Sequence, residues 1–264
     1  MGLSPAAYHL RMSRSLNVHL LPALFDPDEL RTGVAVMIDV LRASTTIIHA
    51  LAAGAKAVLP LTEVDATMQE ANRHAEGTVV TGGERNGERI AGFDLDNSPL
   101  NYTNEAVGAK TVLFTTTNGT KALEHCRCAE RILIGGFVNL GAVSSALRAT
   151  DSPIHLVCAG TDGRITAEDA LYAGAIVQRL SSTATGAAAF QLNDEARMSA
   201  DLFSVSGRND SALLAALRKS RGGRNLVKLG YDDDISRAAT IDLFDVVPEY
   251  NPHTRLITPA GTAG

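Results

Sequence analysis

VAVMIDVLRASTTI (residues 34–47) runs from a continuous apolar stretch through Asp39 into a polar, small-residue corner and then a helix-compatible segment. The same order recurs in TVLFTTTNGTKAL (111–123) and IHLVCAGTDGRITAEDAL (154–171). Strands apolar at successive positions suit a sheet covered on both faces, so the repeated strand-to-helix corner predicts an α/β protein. Working outward, candidate strands are Val34–Ile38, Ala57–Leu61, Thr78–Thr81, Thr111–Thr115, Arg131–Ile134, Ile154–Ala159 and Leu243–Val247. Helices are expected over Ser44–Ala53, Val64–His74, Gly119–Cys126, Asn139–Thr150, Glu168–Ser182, Asp194–Phe203 and Asp210–Ser220. In the fifth, Tyr172, Ile176 and Leu180 fall at i, i+4 and i+8, a stripe that faces a sheet. SSTATGAAA (181–189) reads as a surface connection, and no fixed-period repeat is present. Residues 1–14 show no sustained period and read as a loose tail, with order expected from near Val18. The body is expected over 15–250, and 251–264 as a C-terminal tail.

The chain has 264 residues, 45% of them hydrophobic and 20% charged, which excludes global disorder. No apolar run approaches the ~20 residues that cross a bilayer. The first residues lack the apolar stretch and cleavage site of a signal peptide, so a cytoplasmic chain is expected. Three Cys make no disulfide framework. A net charge of −5, no Trp and few aromatics argue against nucleic acid as partner. A homodimer is the base-rate expectation.

Ligands in open α/β sheets sit beyond the carboxyl ends of the strands, where helix starts offer free N–H groups to anions. At the first corner, Asp39, Arg42 and the Ser44-Thr45-Thr46 hydroxyls can together hold a metal and a phosphoryl group. An equally simple reading is a Ser44 cap with an Arg42–Asp39 ion pair. The second corner, Thr115-Thr116-Thr117-Asn118-Gly119-Thr120-Lys121, permits close approach of the backbone to an oxyanion, without the spacing of a Walker loop. At the third, Glu168 and Asp169 follow Asp162 and Arg164. Acids in a first helical turn are most often dipole partners. Glu84 and Arg85, set between glycines in GGERNG (82–87), and Asp94 add oxygen ligands and a second phosphate-reading fork. Oxygen-rich, His-poor clusters suit Mg²⁺.

Three features are weighed and set aside. Asp94-Leu95-Asp96-Asn97-Ser98 looks like the nucleophile loop of haloacid-dehalogenase phosphatases, with Asp232-Asp233-Asp234 as a later acidic motif. The preceding residues 88–93 are too polar and Gly-broken for the buried strand such a nucleophile requires. Cys126-Arg127-Cys128 has neither metal nor redox spacing, and the His residues show no ligand pattern. RGGRN (221–225) suits an anion, but a Gly-rich helix exit leading into a strand accounts for it equally.

Taken together, IDVLRASTT, GGERNG, GFDLDNSP, TTTNGTKAL, GGFVN and CAGTDGRITAEDALYAGAIV resemble the 2-phosphosulfolactate phosphatase family, with NDEA (193–196) and DVVP (245–248) extending the match. Asp96 stands where the family carries Gly, and its side chain is expected to alter anion preference beside a pocket. The resemblance implies a three-layer α/β/α fold of two similar, intertwined halves with mixed sheets. It also implies Mg²⁺-dependent hydrolysis of 2-phosphosulfolactate to sulfolactate and phosphate, a step of coenzyme M synthesis. On that reading Asp39, Glu84 and Asp94 hold the metal, and Glu168 and Asp169 complete it or transfer protons. Arg42 and Arg85 neutralise anionic oxygens, while Ser44, Thr116, Thr117, Asn118, Gly119 and Thr120 cradle the phosphate. The alternatives are a phosphatase for another phosphorylated carboxylate and a phosphate-ligand binding protein without chemistry.

Overall fold

The structure, a computed structural model, describes residues 14–182 and 189–261. The expectations for residues 1–13, 183–188 and 262–264 lie outside the described residues. The strands are β1 (Ser15–His19), β2 (Val34–Ile38), β3 (Ala57–Pro60), β4 (Val79–Arg85), β5 (Glu88–Arg89), β6 (Thr111–Thr115), β7 (Arg131–Gly135), β8 (Ile154–Cys158), β9 (Gln191–Leu192), β10 (Pro248–Asn251) and β11 (Leu256–Pro259). The helices are α1 (Ala43–Ala52), α2 (Val64–Ala71), α3 (Asn104–Val107), α4 (Gly119–His125), α5 (Leu140–Arg148), α6 (Ala167–Ser181), α7 (Asp194–Ser206), α8 (Asp210–Lys219), α9 (Arg221–Leu229) and α10 (Asp232–Ala238).

Alternate residues of β2 enter different cores, which makes the protein three-layered. Val34, Val36 and Ile38 pack in one cluster with Val143 and Leu147 of α5 and the Tyr172–Ile176–Leu180 stripe of α6. Ala35 and Met37 pack in the other, with Ile47 and Leu51 of α1 and Val58, Val112 and Phe114. Both faces of β2 are therefore dry, as its unbroken apolar run requires.

The strands form one mixed sheet in the order β5-β4-β6-β3-β11-β10-β7-β2-β8-β1-β9. β4, β6 and β3 are mutually parallel, as are β7, β2, β8, β1 and β9. The β10–β11 hairpin joins the two blocks by antiparallel pairings on both sides. The chain enters the second block with β1 and β2, crosses to the first for β3–β6, and returns for β7–β9. This is the interleaving of two α/β halves that the resemblance implied. Five inter-strand steps from β6 to β2, each twisting by about 20–25°, accumulate to on the order of 100°. That twist offsets the reversal of direction and lets carboxyl ends from both blocks share one cleft.

Three expectations are corrected. Residues 243–247 are not a strand; the chain becomes extended only at Pro248, where it can pair with β7. The segment taken as a C-terminal tail supplies β11 at the centre of the sheet, with Ile257 fully buried opposite Val58. RGGRN opens α9 instead of ending a helix: the Ser220 hydroxyl caps it by accepting the Gly223 N–H at 3.1 Å. No helix among the described residues is long and apolar enough to cross a membrane.

Candidate active site

The corners after β2, β4 and β6 open on a cleft of about 380 Å³, lined there by Asp39, Leu41, Arg42, Glu84, Asn86, Gly87 and Thr116–Asn118. Contact between the blocks is intimate. A Cβ on Gly119 would lie 2.9 Å from Asp39 Oδ2, so only glycine lets the start of α4 press against that carboxyl. Gly83, at φ 144°, likewise permits contact with the Thr115 carbonyl, which a Cβ would strike at 1.9 Å.

Asp39 is buried, and its Oδ1 accepts the Ala43 N–H at 3.3 Å. Its Oδ2 accepts no hydrogen bond from the described residues. Burial raises the Asp39 pKa to about 7, reinforced by repulsion from Glu84 and Glu168 and opposed by the Ala43 N–H and Arg42. Glu84 is held rigidly: Oε1 accepts from Thr117 N and Oε2 from Gly87 N, both at 2.8 Å. Thr116 and Thr120 hydroxyls lie 3.3 Å apart, bracing the loop, and Asn118 Oδ1 accepts from Asp162 N at 3.2 Å. The Thr117 hydroxyl is buried without a partner among the described residues.

Several expected ligands do other work. Ser44 Oγ accepts the Asp39 N–H at 2.9 Å from inside the corner, fully buried and off the cleft. Gly119 and Thr120 shape the loop without lining the cleft. Asp94 is also off it, its Oδ2 accepting the Thr81 N–H and hydroxyl at 2.8 Å each. Arg85 donates to the Thr62 and Glu84 carbonyls and borders a smaller hollow of about 190 Å³ that shares Thr116 and Thr117. Asp169 ties two corners together: Oδ1 accepts from Val40 N at 2.9 Å, and Oδ2 from Gly160 N and the Thr166 hydroxyl at 3.0 Å. Burial, then repulsion from Glu168 and Asp39, raises its pKa well above the usual range. Glu168 Oε1 accepts from Gly222 N at 2.9 Å, while Oε2 is buried without a partner. Burial raises this carboxyl too.

Arg42 does not pair with Asp39. Its Nη1 meets Asp234 Oδ2 at 2.7 Å with both side chains 2% exposed, and its Nη2 donates to the Gly87 carbonyl at 2.7 Å. Tyr231 lies under the guanidinium, 4.4 Å from carbon to ring centre. Asp96, in turn, accepts from Ser98 N and Asn101 Nδ2 at 2.8 Å and from the Tyr231 hydroxyl at 3.1 Å. It does not line the cleft, so its expected influence on anion preference is replaced by a role in docking the α9–α10 turn.

The rest of the wall comes from Asn97, from Thr161 and Asp162 of the corner after β8, and from Arg221, Gly222, Arg224, Asn225, Leu226 and Lys228 of α9. The sequence reading left the α9 segment undecided. Its spacing of i, i+3, i+4 and i+7 for Arg221, Arg224, Asn225 and Lys228 is the signal that places them on one helix face.

Among the described residues no three His, Cys, Asp or Glu side chains form a ready metal cage. The cleft nevertheless fits Mg²⁺, which keeps several waters and needs only one or two carboxylates beside substrate oxygens. Asp39 and Glu84 would supply those two. The buried, partnerless Glu168 Oε2 and the mutual repulsion of the three acids mark a region short of positive charge.

A family model described as 2-phosphosulpholactate phosphatase matches residues 19–253. The chain is 41% identical over 231 residues to a "Probable 2-phosphosulfolactate phosphatase" of Thermotoga petrophila, covering 88% of this chain and 94% of that one. It is 38% identical over 221 residues to a protein of the same description from Caldanaerobacter subterraneus subsp. tengcongensis, covering 84% and 89% respectively. The Thermotoga maritima relative, also so described, is 40% identical over 231 residues, covering 88% and 94%. With that match running from the end of β1 through β10, the chain belongs to the 2-phosphosulpholactate phosphatase family.

Proposed function

We propose that this chain hydrolyses the phosphate ester of 2-phosphosulfolactate, releasing 3-sulfolactate and phosphate, with Mg²⁺ held by Asp39 and Glu84 directly or through water. One observation carries the reading: two buried carboxylates from separate blocks of the sheet face one anion-sized cleft beside the Thr116–Asn118 loop. A protein that only bound phosphate would gain nothing from acids next to its ligand; with a cation between, the acids make sense.

Uncatalysed hydrolysis of phosphate monoesters is among the slowest of biological reactions, so charge neutralisation and alignment must supply most of the acceleration. Mg²⁺, when bound, neutralises phosphoryl charge and polarises the ester. Thr117 offers its partnerless hydroxyl to a phosphoryl oxygen, and the Thr116–Asn118 loop fixes the group's orientation. Glu84, clamped by two backbone N–H groups, cannot swing away and keeps its charge in the cleft. Asp39 has an Oδ2 that accepts no hydrogen bond from the described residues, which suits it to orient the attacking water and take its proton. Arg42 acts as a positioning residue that locks the first corner to α10.

The test is phosphate release from 2-phospho-3-sulfolactate, with Mg²⁺ or with EDTA, against a panel of phosphorylated carboxylates. Mg²⁺-dependent turnover that prefers the sulfonate is expected. Turnover of other esters alone would keep the chemistry and replace the substrate; no turnover of any ester would leave a binding protein.

A further inference from the structure

We propose that the cationic face of α9, made of Arg221, Arg224 and Lys228, binds the carboxylate and sulfonate of the substrate and thereby sets the preference for polyanionic esters. This rests on the phosphatase reading and adds a specificity element that the acids and the Thr loop do not provide.

The helix is built to present that face. Arg221, Arg224, Asn225 and Lys228 recur at i, i+3, i+4 and i+7 and all line the cleft; Gly222 and Leu226, which also line it, are buried, as is Gly223. The two glycines are required by contact. A Cβ on Gly222 would lie 2.2 Å from Glu168 Oε1, and one on Gly223 would lie 1.9 Å from the Leu217 carbonyl oxygen. Their absence of side chains seats α9 against α6 and the end of α8 and fixes where its long cations emerge. The far end is anchored as well: Tyr231, two residues past α9, stacks on Arg42 and donates to Asp96.

The cations have little else to satisfy them. Arg221 pairs with Asp162 at 3.1 Å, but the two side chains are 42% and 61% exposed, so water screens the pair and an anion can displace it. Arg224 donates to the Lys219 carbonyl. Lys228 has no ionic partner among the described residues. Charge also divides the cleft: Asp162, the acid that lines it on the α9 side, is paired with Arg221. Asp39 and Glu84 repel any anionic group that is not bound to a cation, so the carboxylate and sulfonate are driven to the α9 wall while the phosphoryl group occupies the acid end. An ester lacking those two groups forfeits the α9 contacts.

Two measurements test this on the full-length protein. First, kcat/KM is compared for 2-phosphosulfolactate and glycerol 2-phosphate in wild type, Arg224→Gln, Lys228→Met and the charge-preserving Arg224→Lys. Charge-assisted contacts of this kind are worth about 10- to 100-fold each, so the loss on the sulfonated ester is expected to exceed the loss on glycerol 2-phosphate by about that factor, mainly through KM. Arg224→Lys should restore part of it. Second, calorimetry measures binding of 3-sulfolactate, which carries no phosphoryl group. Arg224→Gln and Lys228→Met should weaken it about 10- to 100-fold. Equal losses on both esters, or unchanged binding of 3-sulfolactate, would overturn the α9 assignment while leaving the phosphatase reading intact. Absence of any hydrolysis, with 3-sulfolactate still bound through α9, would instead remove the phosphatase reading and keep the assignment. Failure of the folded wild-type protein to bind 3-sulfolactate overturns it directly.

Discussion

Arg42 and Asp234, at opposite ends of the catalytic region in sequence, form an ion pair of 2.7 Å with both side chains 2% exposed. Ser98 donates to the other Asp234 oxygen at 2.6 Å, so the buried charges are hydrogen-bonded as well as paired. Breaking one side of such a pair costs roughly 3–5 kcal/mol because the survivor stays buried without its partner. Asp234→Ala is therefore expected to lose that much stability in urea unfolding. A combined Arg42→Met/Asp234→Leu variant should recover most of it, since neither charge remains to be buried. Activity should not recover with stability, because α9 would no longer be held by the same lock.

Asp39 gives a prediction in which activity and stability part. Its folded-state pKa of about 7 lies above that of an unfolded aspartate, so the metal-free fold holds a proton that the unfolded chain releases. The contribution of this group is most favourable in acid, falls as pH rises from about 4 to about 7, and is level above. Asp39→Asn removes the dependence. Without metal at pH 8 the variant should be more stable than wild type by on the order of a few kcal/mol, and near pH 4 no more stable. Turnover should fall by about 10³-fold or more. Thermal unfolding across pH in EDTA, beside a phosphate-release assay, checks both halves. A variant that keeps its turnover would remove Asp39 from the chemistry.

The corners were legible in the sequence because each is a local pattern, an apolar strand that runs into a small polar turn. The α/β class, Asp39 and the Thr116–Asn118 loop followed from that pattern, and Glu84 from its place between the glycines of GGERNG. What local pattern could not show was who satisfies whom. Ser44 and Asp94 have the chemistry of ligands, but their hydrogen bonds close within the fold, to Asp39 N and to Thr81. Arg42 has a nearer acid in sequence, yet takes Asp234 across the fold. β11 was missed because its role comes from non-local pairing with β3 and β10, and α9 because its paired glycines resemble a helix exit.

Asp94 separates this active site from the haloacid-dehalogenase pattern. Its Oδ2 accepts two hydrogen bonds from Thr81, and Thr81 Oγ1 in turn accepts the Asp94 N–H at 3.0 Å. These bonds tie the 94–98 loop to β4. Asp94→Asn is expected to cost about 1–2 kcal/mol of stability, because a charged acceptor becomes neutral, while kcat stays within about threefold of wild type. Acid quench and mass spectrometry during turnover should find no phosphate on Asp94. A trapped phosphoaspartate there would overturn the assignment of Asp39 and Glu84.

Away from the cleft, His19 at the end of β1 stacks on Phe25 with ring centres 3.9 Å apart, and its Nε2 lies 3.0 Å from Nδ1 of His155. Burial, then the positive charge of His155 and His125, lowers its pKa to about 4, and burial lowers His155 too. The sign is opposite to that of Asp39. The folded state keeps His19 neutral while the unfolded chain takes up a proton near pH 6.5, so this stability is complete above pH 6.5 and is lost as pH falls toward 4. For His19 the loss is on the order of 2–3 kcal/mol. The raised carboxyls at the cleft act in the other direction over part of this range, so the slope of the wild type alone does not isolate the histidine. The difference between wild type and His19→Gln does: urea unfolding at steps between pH 7 and pH 4 should show the wild type losing stability relative to the variant. Parallel curves would mean that protonation of His19 is tolerated inside the fold.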